Sequence, residues 1–419
     1  MPNSPPNKTR PRVAVIGAGA AGLVAVREAL REGLDVVAFE ASDQLGGVWD
    51  FHEAAEDDPL GLNPSQRIHS SLYASLRTNL PRELMAFRDY PMDVVSYVDE
   101  RQFPGHVCVL AYLQRFARDF ELMPHIRFNV RVHHVTPVDD GWRVKLANGG
   151  EERFDAVMVC NGHYREPRVP KLPGMERFGG LLMHSHNYRR PENFAGQSVA
   201  VFGAKASGED LAREISQCAK CVYWCANGFG HEPAGQGNID RRPAIAGFAM
   251  NDIKLTDGEV IADVDAVIFC TGYHYRFPFL ADGLVAVDDN WVHPLYLDLI
   301  PPQHPTLAFI GLPNSVIPFP LFEVQAKWFL RRIAGRFAFA SEGEMQAAVA
   351  ERERELTAEG RPLRHFHKLE DEQFAYMNLL AAECGAEPLP SWFEPMAQTA
   401  RENRKRYPQR YRDTPIPKP

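Results

Sequence analysis

The sequence has no unbroken apolar run approaching the roughly 18 residues that a membrane helix requires, so no stretch of it reads as a transmembrane span. It also lacks a block of basic residues. Its 46 lysines and arginines are outnumbered by 54 aspartates and glutamates, for a net charge of −8, which argues against nucleic acid or an anionic membrane as the main partner. The seven cysteines are odd in number and scattered over 419 residues, unlike a secreted disulfide framework. The first eleven residues are polar and proline-rich with no apolar core, so 1–11 is expected as a disordered lead-in rather than a secretory leader, and the cytosol is the expected compartment. No nucleophilic triad and no paired carboxylates with a defensible geometry stand out. His365 and His367, two apart on a charged segment, read as surface histidines rather than metal ligands.

What is present is a pair of glycine-rich turns. Val13-Ala14-Val15-Ile16 leads into Gly17-Ala18-Gly19-Ala20-Ala21-Gly22, and Val199-Ala200-Val201-Phe202 leads into Gly203-Ala204-Lys205-Ala206-Ser207-Gly208. Each follows a β-branched run and opens a helix-like run, the context in which a glycine fingerprint marks a dinucleotide site. One turn holds one dinucleotide, so two suggest a flavin and a nicotinamide in one chain. After the first turn a helix from about Gly22 to Arg31 and a strand over Val36–Glu40 are expected, and Glu40, which ends that strand, stands eighteen residues beyond Gly22. An acid there accepts hydrogen bonds from a ribose diol and repels a 2′-phosphate.

The spacing further predicts a helix over 107–121 and a β-meander over 126–160, ending in the apolar strand before Cys160-Asn161-Gly162. The proline-rich passage 166–173 marks a domain junction. Another apolar strand, 263–270, ends at Thr271-Gly272 and is expected to return to the first sheet. The fold class is therefore α/β, with two Rossmann-like domains, the smaller NAD(P)-binding one (166–263) inserted in the larger FAD-binding one (12–165 and 264–419). Cys218 and Cys221 form a CxxC that a flavin disulfide reductase would use as a redox pair, but Cys221 to Cys225 reads better as the second strand of the second unit.

Several further motifs fall in order. Phe178, Gly180, His184 and Tyr188 fit FxGxxxHxxxY, the identifying sequence of flavin-containing monooxygenases, and with both glycine turns, Gly46-Gly47-Val48-Trp49, Thr78-Asn79 and Cys270-Thr271-Gly272-Tyr273 the chain resembles that family from Arg12 to Asp413. Related Baeyer–Villiger enzymes carry tryptophan where this chain has Tyr188, which favours heteroatom oxygenation. Asp58 to Leu62, Cys160 to Tyr164 and His184 to Tyr188 look most like the plant-type branch that oxygenates thioether sulfur.

The resemblance implies that NADPH reduces FAD, that O2 forms a C4a-hydroperoxyflavin, and that a thioether or amine substrate takes the oxygen. Gly17, Gly19, Ala21 and Gly22 would bind the FAD pyrophosphate at a helix N-terminus, Glu40 its ribose, and Gln44, Gly47 and Trp49 further parts of it. By resemblance Asn79 is the catalytic residue, an uncharged donor beside the reacting flavin edge. Gly203, Lys205, Ser207 and Gly208 would hold the nicotinamide cofactor, His184 would keep the domains in register, Thr271 and Gly272 would close the route between them, and Gln325 would belong to the flavin-side wall. Lys205 stands where a middle glycine is usual, and Cys225-Ala226-Asn227 lacks the arginine expected after the second strand. Lys205, Arg213, Arg241 or Arg242 would have to supply the cation for a 2′-phosphate, and mixed use of NADH is expected. Baeyer–Villiger insertion, oxidative decarboxylation of a 2-oxo acid, and a non-oxygenating redox-sensing module are the competing readings. A homodimer is compatible with all of them.

Overall fold

The computed structural model describes residues 10–92, 99–229 and 237–418. Residues 1–9 of the expected lead-in lie outside the described residues. Two five-stranded parallel sheets organise the rest. The first contains β1 (Arg12–Ile16), β2 (Asp35–Phe39), β3 (Ile126–Arg127) and β4 (Ala156–Val159). The second contains β5 (Leu181–His184), β6 (Ser198–Phe202), β7 (Cys221–Ala226), β8 (Ile239–Pro243) and β9 (Ala266–Phe269), and β10 (Leu307–Phe309) completes the first. The orders are β10-β4-β1-β2-β3 and β5-β9-β6-β7-β8. Central strands paired on both sides are almost wholly buried, which is why they read as continuous apolar runs.

Within each sheet the strand period of two divides the side chains between opposite faces. Val13 and Val15 of β1 pack with α1 (Ala20–Arg31), α2 (His106–Asp119) and, further along, Trp328, whereas Ala14 and Ile16 pack with Val135, Trp142 and Phe154. Those last residues belong to a three-stranded antiparallel layer, Val132–Val138, Gly141–Leu146 and Glu151–Phe154. The second sheet repeats the plan. Val199 and Val201 meet α3 (Ala206–Ile215), while Ala200 meets a second three-stranded antiparallel layer over Ile245–Ala249, Asp252–Leu255 and Val260–Ile261. The helices α4 (Pro318–Ile333), α5 (Glu342–Ala358), α6 (Glu372–Cys384) and α7 (Phe393–Arg406) finish the chain. Among the described residues no helix is long and apolar enough to cross a membrane.

Three expectations are corrected. The meander is shorter than 126–160, because its ends, 126–127 and 156–159, join the parallel sheet as β3 and β4. The strand before Thr271-Gly272 does not return to the first sheet: β9 lies between β6 and β5, and the returning strand is β10, paired with β4. β4 and β9 hold the same place in their respective sheets and have the same apolar character, so composition alone could not tell them apart. Finally, His367 is not on the surface. It is buried, its Nε2 accepts from the Val292 amide at 2.8 Å and its Nδ1 faces Asp298 at 2.8 Å, while His365 is only partly exposed. Among the described residues no group of three or more potential ligands could hold a metal ion.

Candidate functional site

The two glycine turns are built alike. Gly17 has φ +106° and Gly203 φ +134°, conformations that disfavour any side chain. A Cβ at Gly17 would come within 2.6 Å of the Cys160 carbonyl, and one at Gly203 within 2.3 Å of the Cys270 carbonyl. Gly22 and Gly208 each lie five residues on, where a Cβ would meet the Gly17 and Gly203 carbonyls at 1.9 and 1.8 Å. These four glycines are therefore required by strand-to-helix packing.

Gly19 is different. Its φ is −75°, and an added Cβ would make only an ordinary contact, 3.5 Å from the Gly47 Cα. The protein itself tolerates a side chain there, so the missing Cβ leaves room for something else. Gly19 caps α1, whose first turn carries no acidic residue, and the exposed amides and dipole of that end suit a pyrophosphate. The segment of Gln44 and Gly47 closes over this turn, with the Gly46 amide donating to the Ala18 carbonyl at 3.0 Å. Gln44 is exposed, and Trp49 meets the Phe319 ring edge-on at 6.4 Å. Glu40 follows β2 directly; its Oε2 accepts from the Ala18 amide at 2.7 Å, and its Oε1 accepts from the Ser42 amide and hydroxyl at 2.8 and 2.9 Å. Oε2, with a single donor, keeps a lone pair for a ribose hydroxyl. The residues present fit a dinucleotide without a 2′-phosphate.

In the second turn Lys205 takes the place of Gly19 and is exposed, as is Ser207 in the first turn of α3. The paired registers Ile16↔Phe39 and Phe202↔Cys225 put Ala226 where the first unit has Glu40. The carboxylate that would repel a 2′-phosphate is thus absent. Of the four expected cations, Arg242 is tied to Asp240 and Glu259 at 2.7 Å each, and Arg213 reaches Glu209 and the Pro408 carbonyl. Arg241 lies against Trp224 of β7, its guanidinium 4.9 Å from the ring centroid and 5.0 Å from that of Phe229, and the same indole donates to the Gly203 carbonyl at 2.8 Å. A cation on β8 is therefore stacked beside the turn.

Ring contacts link the carboxyl ends of β4 and β5. Beyond β4, His163 stacks on Tyr275 at 4.6 Å and Tyr164 meets Tyr273 edge-on at 5.7 Å; Tyr273 in turn meets His184 at 5.2 Å. Tyr164 is 51% exposed, and the protein around its hydroxyl raises the pKa of that group. His184 is wholly buried. Its Nδ1 accepts from the His186 amide at 3.1 Å, so the proton is on Nε2, which donates to the Gly272 carbonyl at 3.0 Å. Burial holds its pKa down to about 3, leaving a neutral ring that joins the end of β5 to the Thr271-Gly272 turn. Thr271 donates its hydroxyl to the Arg168 carbonyl.

Asn79 is exposed, next to a buried Thr78 whose amide donates to Pro104 and whose hydroxyl donates to Leu80. Gln325 of α4 is fully buried, accepting from the Gly311 amide at 2.9 Å and donating to the Tyr376 hydroxyl at 2.8 Å, so it holds the Gly311 turn. Tyr188 is a packing residue stacked on Phe194 at 5.9 Å. Cys221 begins β7, and burial raises the Cys218 thiol pKa, its Sγ resting on the Pro191 carbonyl, which disfavours a thiolate at Cys218. Sequence reading missed His69 and His163, each held down to about 4 chiefly by burial, and the arginines of the tail after α7.

Comparison with known proteins agrees with this geometry. The family described as flavin-binding monooxygenase-like matches residues 10–230 and 234–395. Flavin-containing monooxygenase FMO GS-OX-like 4 of Arabidopsis thaliana is 42% identical over 96% of this chain and 93% of its own length. The structure of S-allyl-L-cysteine S-oxygenase from Allium sativum superposes with a TM-score of 0.93 at 40% identity, covering 97% of this chain and 95% of that one. A more distant structure, of OTEMO in complex with FAD and NADP, is 16% identical with a TM-score of 0.61, covering 86% and 92%, and shares the fold. Two Rossmann-like units, each opened by a glycine turn and matched over nearly the full length, make one conclusion unavoidable: this chain belongs to the flavin-binding monooxygenase-like family and is a flavin-dependent monooxygenase.

Proposed function

We propose that the protein oxygenates the sulfur of a small thioether, using FAD in the first unit and NADPH from the second. The observation that carries this reading is the likeness, over almost the whole chain, to an S-oxygenase at 40% identity. Reduced flavin supplies the activation of O2 and the oxygen that is transferred. The protein's share is binding, orientation and the exclusion of bulk water. Gly17, Gly19, Ala21 and Gly22 seat the FAD pyrophosphate on α1, and Glu40 accepts from its ribose; Gln44, Gly47 and Trp49 wall the same cofactor. Asn79 offers an amide donor that carries no proton acidic enough to discharge a developing oxyanion. Gly203, Lys205, Ser207 and Gly208 seat the nicotinamide cofactor on α3, and Arg241 takes its 2′-phosphate. His184, Thr271 and Gly272 keep the two cradles apart by a fixed distance. The flavin unit comprises 12–165 and 271–419, and the nicotinamide unit 166–270, the boundary being moved so that β9 stays with its sheet.

Product analysis with NADPH, O2 and a panel of thioether, tertiary amine, cyclic ketone and 2-oxo acid tests the reading. Sulfoxide is the expected main product. A lactone from the ketone would replace it by Baeyer–Villiger insertion, and NADPH oxidation yielding no oxygenated product from any of the four would sink it.

A further inference from the structure

The last turn of α7 and the tail after it cross from one nucleotide unit to the other, and they do so through arginines. Arg404 reaches Glu209 at 2.6 Å, and the Pro408 carbonyl accepts from Arg213 at 2.6 Å, both partners lying on α3. Arg412 donates through its two terminal nitrogens to the two oxygens of Asp210, at 3.0 and 2.6 Å, and through Nε to the Thr78 carbonyl at 3.0 Å. Tyr73 donates its hydroxyl to the same Asp210 carboxylate at 2.8 Å. Arg77, beside Thr78, grips the tail in return, donating to the Arg412 carbonyl at 3.0 Å and the Asp413 carboxylate at 2.8 Å.

A bidentate guanidinium–carboxylate pair fixes orientation as well as distance. Here the third nitrogen of the same planar group is also engaged, on the peptide immediately before Asn79. No other side-chain type has donors on three nitrogens of one rigid plane; a lysine in its place has its three donors on a single atom and cannot keep the two parallel bonds to Asp210 together with the bond to Thr78. Burial opposes the Arg412 charge, and the Asp210 carboxylate more than offsets it, so the pKa is raised and the group stays charged.

We propose that Arg412 is a positioning residue that locks α3, the helix behind the second glycine turn, to the loop carrying Asn79, so that the nicotinamide cradle and the flavin-side amide share one register. This rests on the reading of Asn79 and α3 given above. The holoenzyme is compared with its Arg412→Ala, Arg412→Lys and Asp210→Asn variants by amide hydrogen exchange and by H2O2 released per NADPH oxidised with a thioether present.

In Arg412→Ala, exchange rises together in peptides covering 76–80 and 206–215 and not elsewhere, and H2O2 per NADPH rises about tenfold, within what a small misplacement costs. Arg412→Lys falls between that variant and the parent. Asp210→Asn reproduces the defect, and combining it with Arg412→Ala adds little because both break one link. Exchange that rises throughout the chain, or only in 206–215, or parental exchange with parental coupling, overturns the proposal. A parent enzyme that makes no S-oxide or N-oxide defeats the proposed function instead, while the exchange measurement still reads the lock.

Discussion

Among single residues, Gly19 and Gly22 separate two reasons for a glycine that look identical in a fingerprint. A Cβ at Gly22 would sit 1.9 Å from the Gly17 carbonyl, so β1 and α1 would have to part, whereas one at Gly19 meets nothing closer than 3.5 Å. Gly22→Ala is expected to destabilise the apoprotein by about 3 kcal/mol or more, the upper end of overpacking costs. Gly19→Ala is expected to leave apoprotein melting nearly unchanged and to weaken FAD binding about tenfold or more. Melting curves of the apoprotein, read beside flavin absorbance per chain, distinguish the two; equal melting for both variants would contradict the packing argument. The sequence made both glycines visible, and Glu40 with them, because the first turn is a local pattern. It could not assign Gln325, whose amide is engaged by Gly311 and Tyr376, nor His367, which answers to Val292 seventy-five residues away.

For whole elements, pairing decides what spacing cannot. β7 carries no arginine at its end, and read as a string it points to weak NADPH selectivity. The parallel register Trp224↔Arg241 brings a cation in from β8 instead, stacked on the indole that touches the Gly203 turn. The expected outcome is therefore a preference for NADPH. Arg241→Ala is expected to lower kcat/KM for NADPH by about 10- to 100-fold, the range of one charge-assisted hydrogen bond, with kcat/KM for NADH little changed. Steady-state kinetics with both cofactors decide it, and equal losses for the two would remove Arg241 from phosphate recognition. The same dependence on register explains the misplaced strand. β4 and β9 are both four buried apolar residues followed by cysteine, and only their partners, β1 and β10 for one and β6 and β5 for the other, show which sheet each serves.

Taken as one molecule, the protein carries a reserve of neutral histidines. Burial holds His69 and His163 at about 4 and His184 at about 3, whereas in an unfolded chain they titrate near 6.5. Below about pH 6.5 the unfolded chain therefore takes up protons that the folded one refuses. Stability is level with respect to these groups above about pH 6.5 and falls as pH drops toward about 4, by up to about 1.4 kcal/mol per unit for each group. Urea midpoints followed from about pH 8 down to about pH 5 should be flat and then decline; a midpoint that stays level to the bottom of that range would mean the rings protonate in place. The division of the strands has a different kind of consequence. Every strand of the second sheet falls between residues 181 and 269, while the first sheet is left open until Leu307–Phe309 arrives. On a ribosome the later-starting unit is the first that can finish, and the flavin cradle, although it leads the chain, must wait with one edge bare until the strand that closes it has been made.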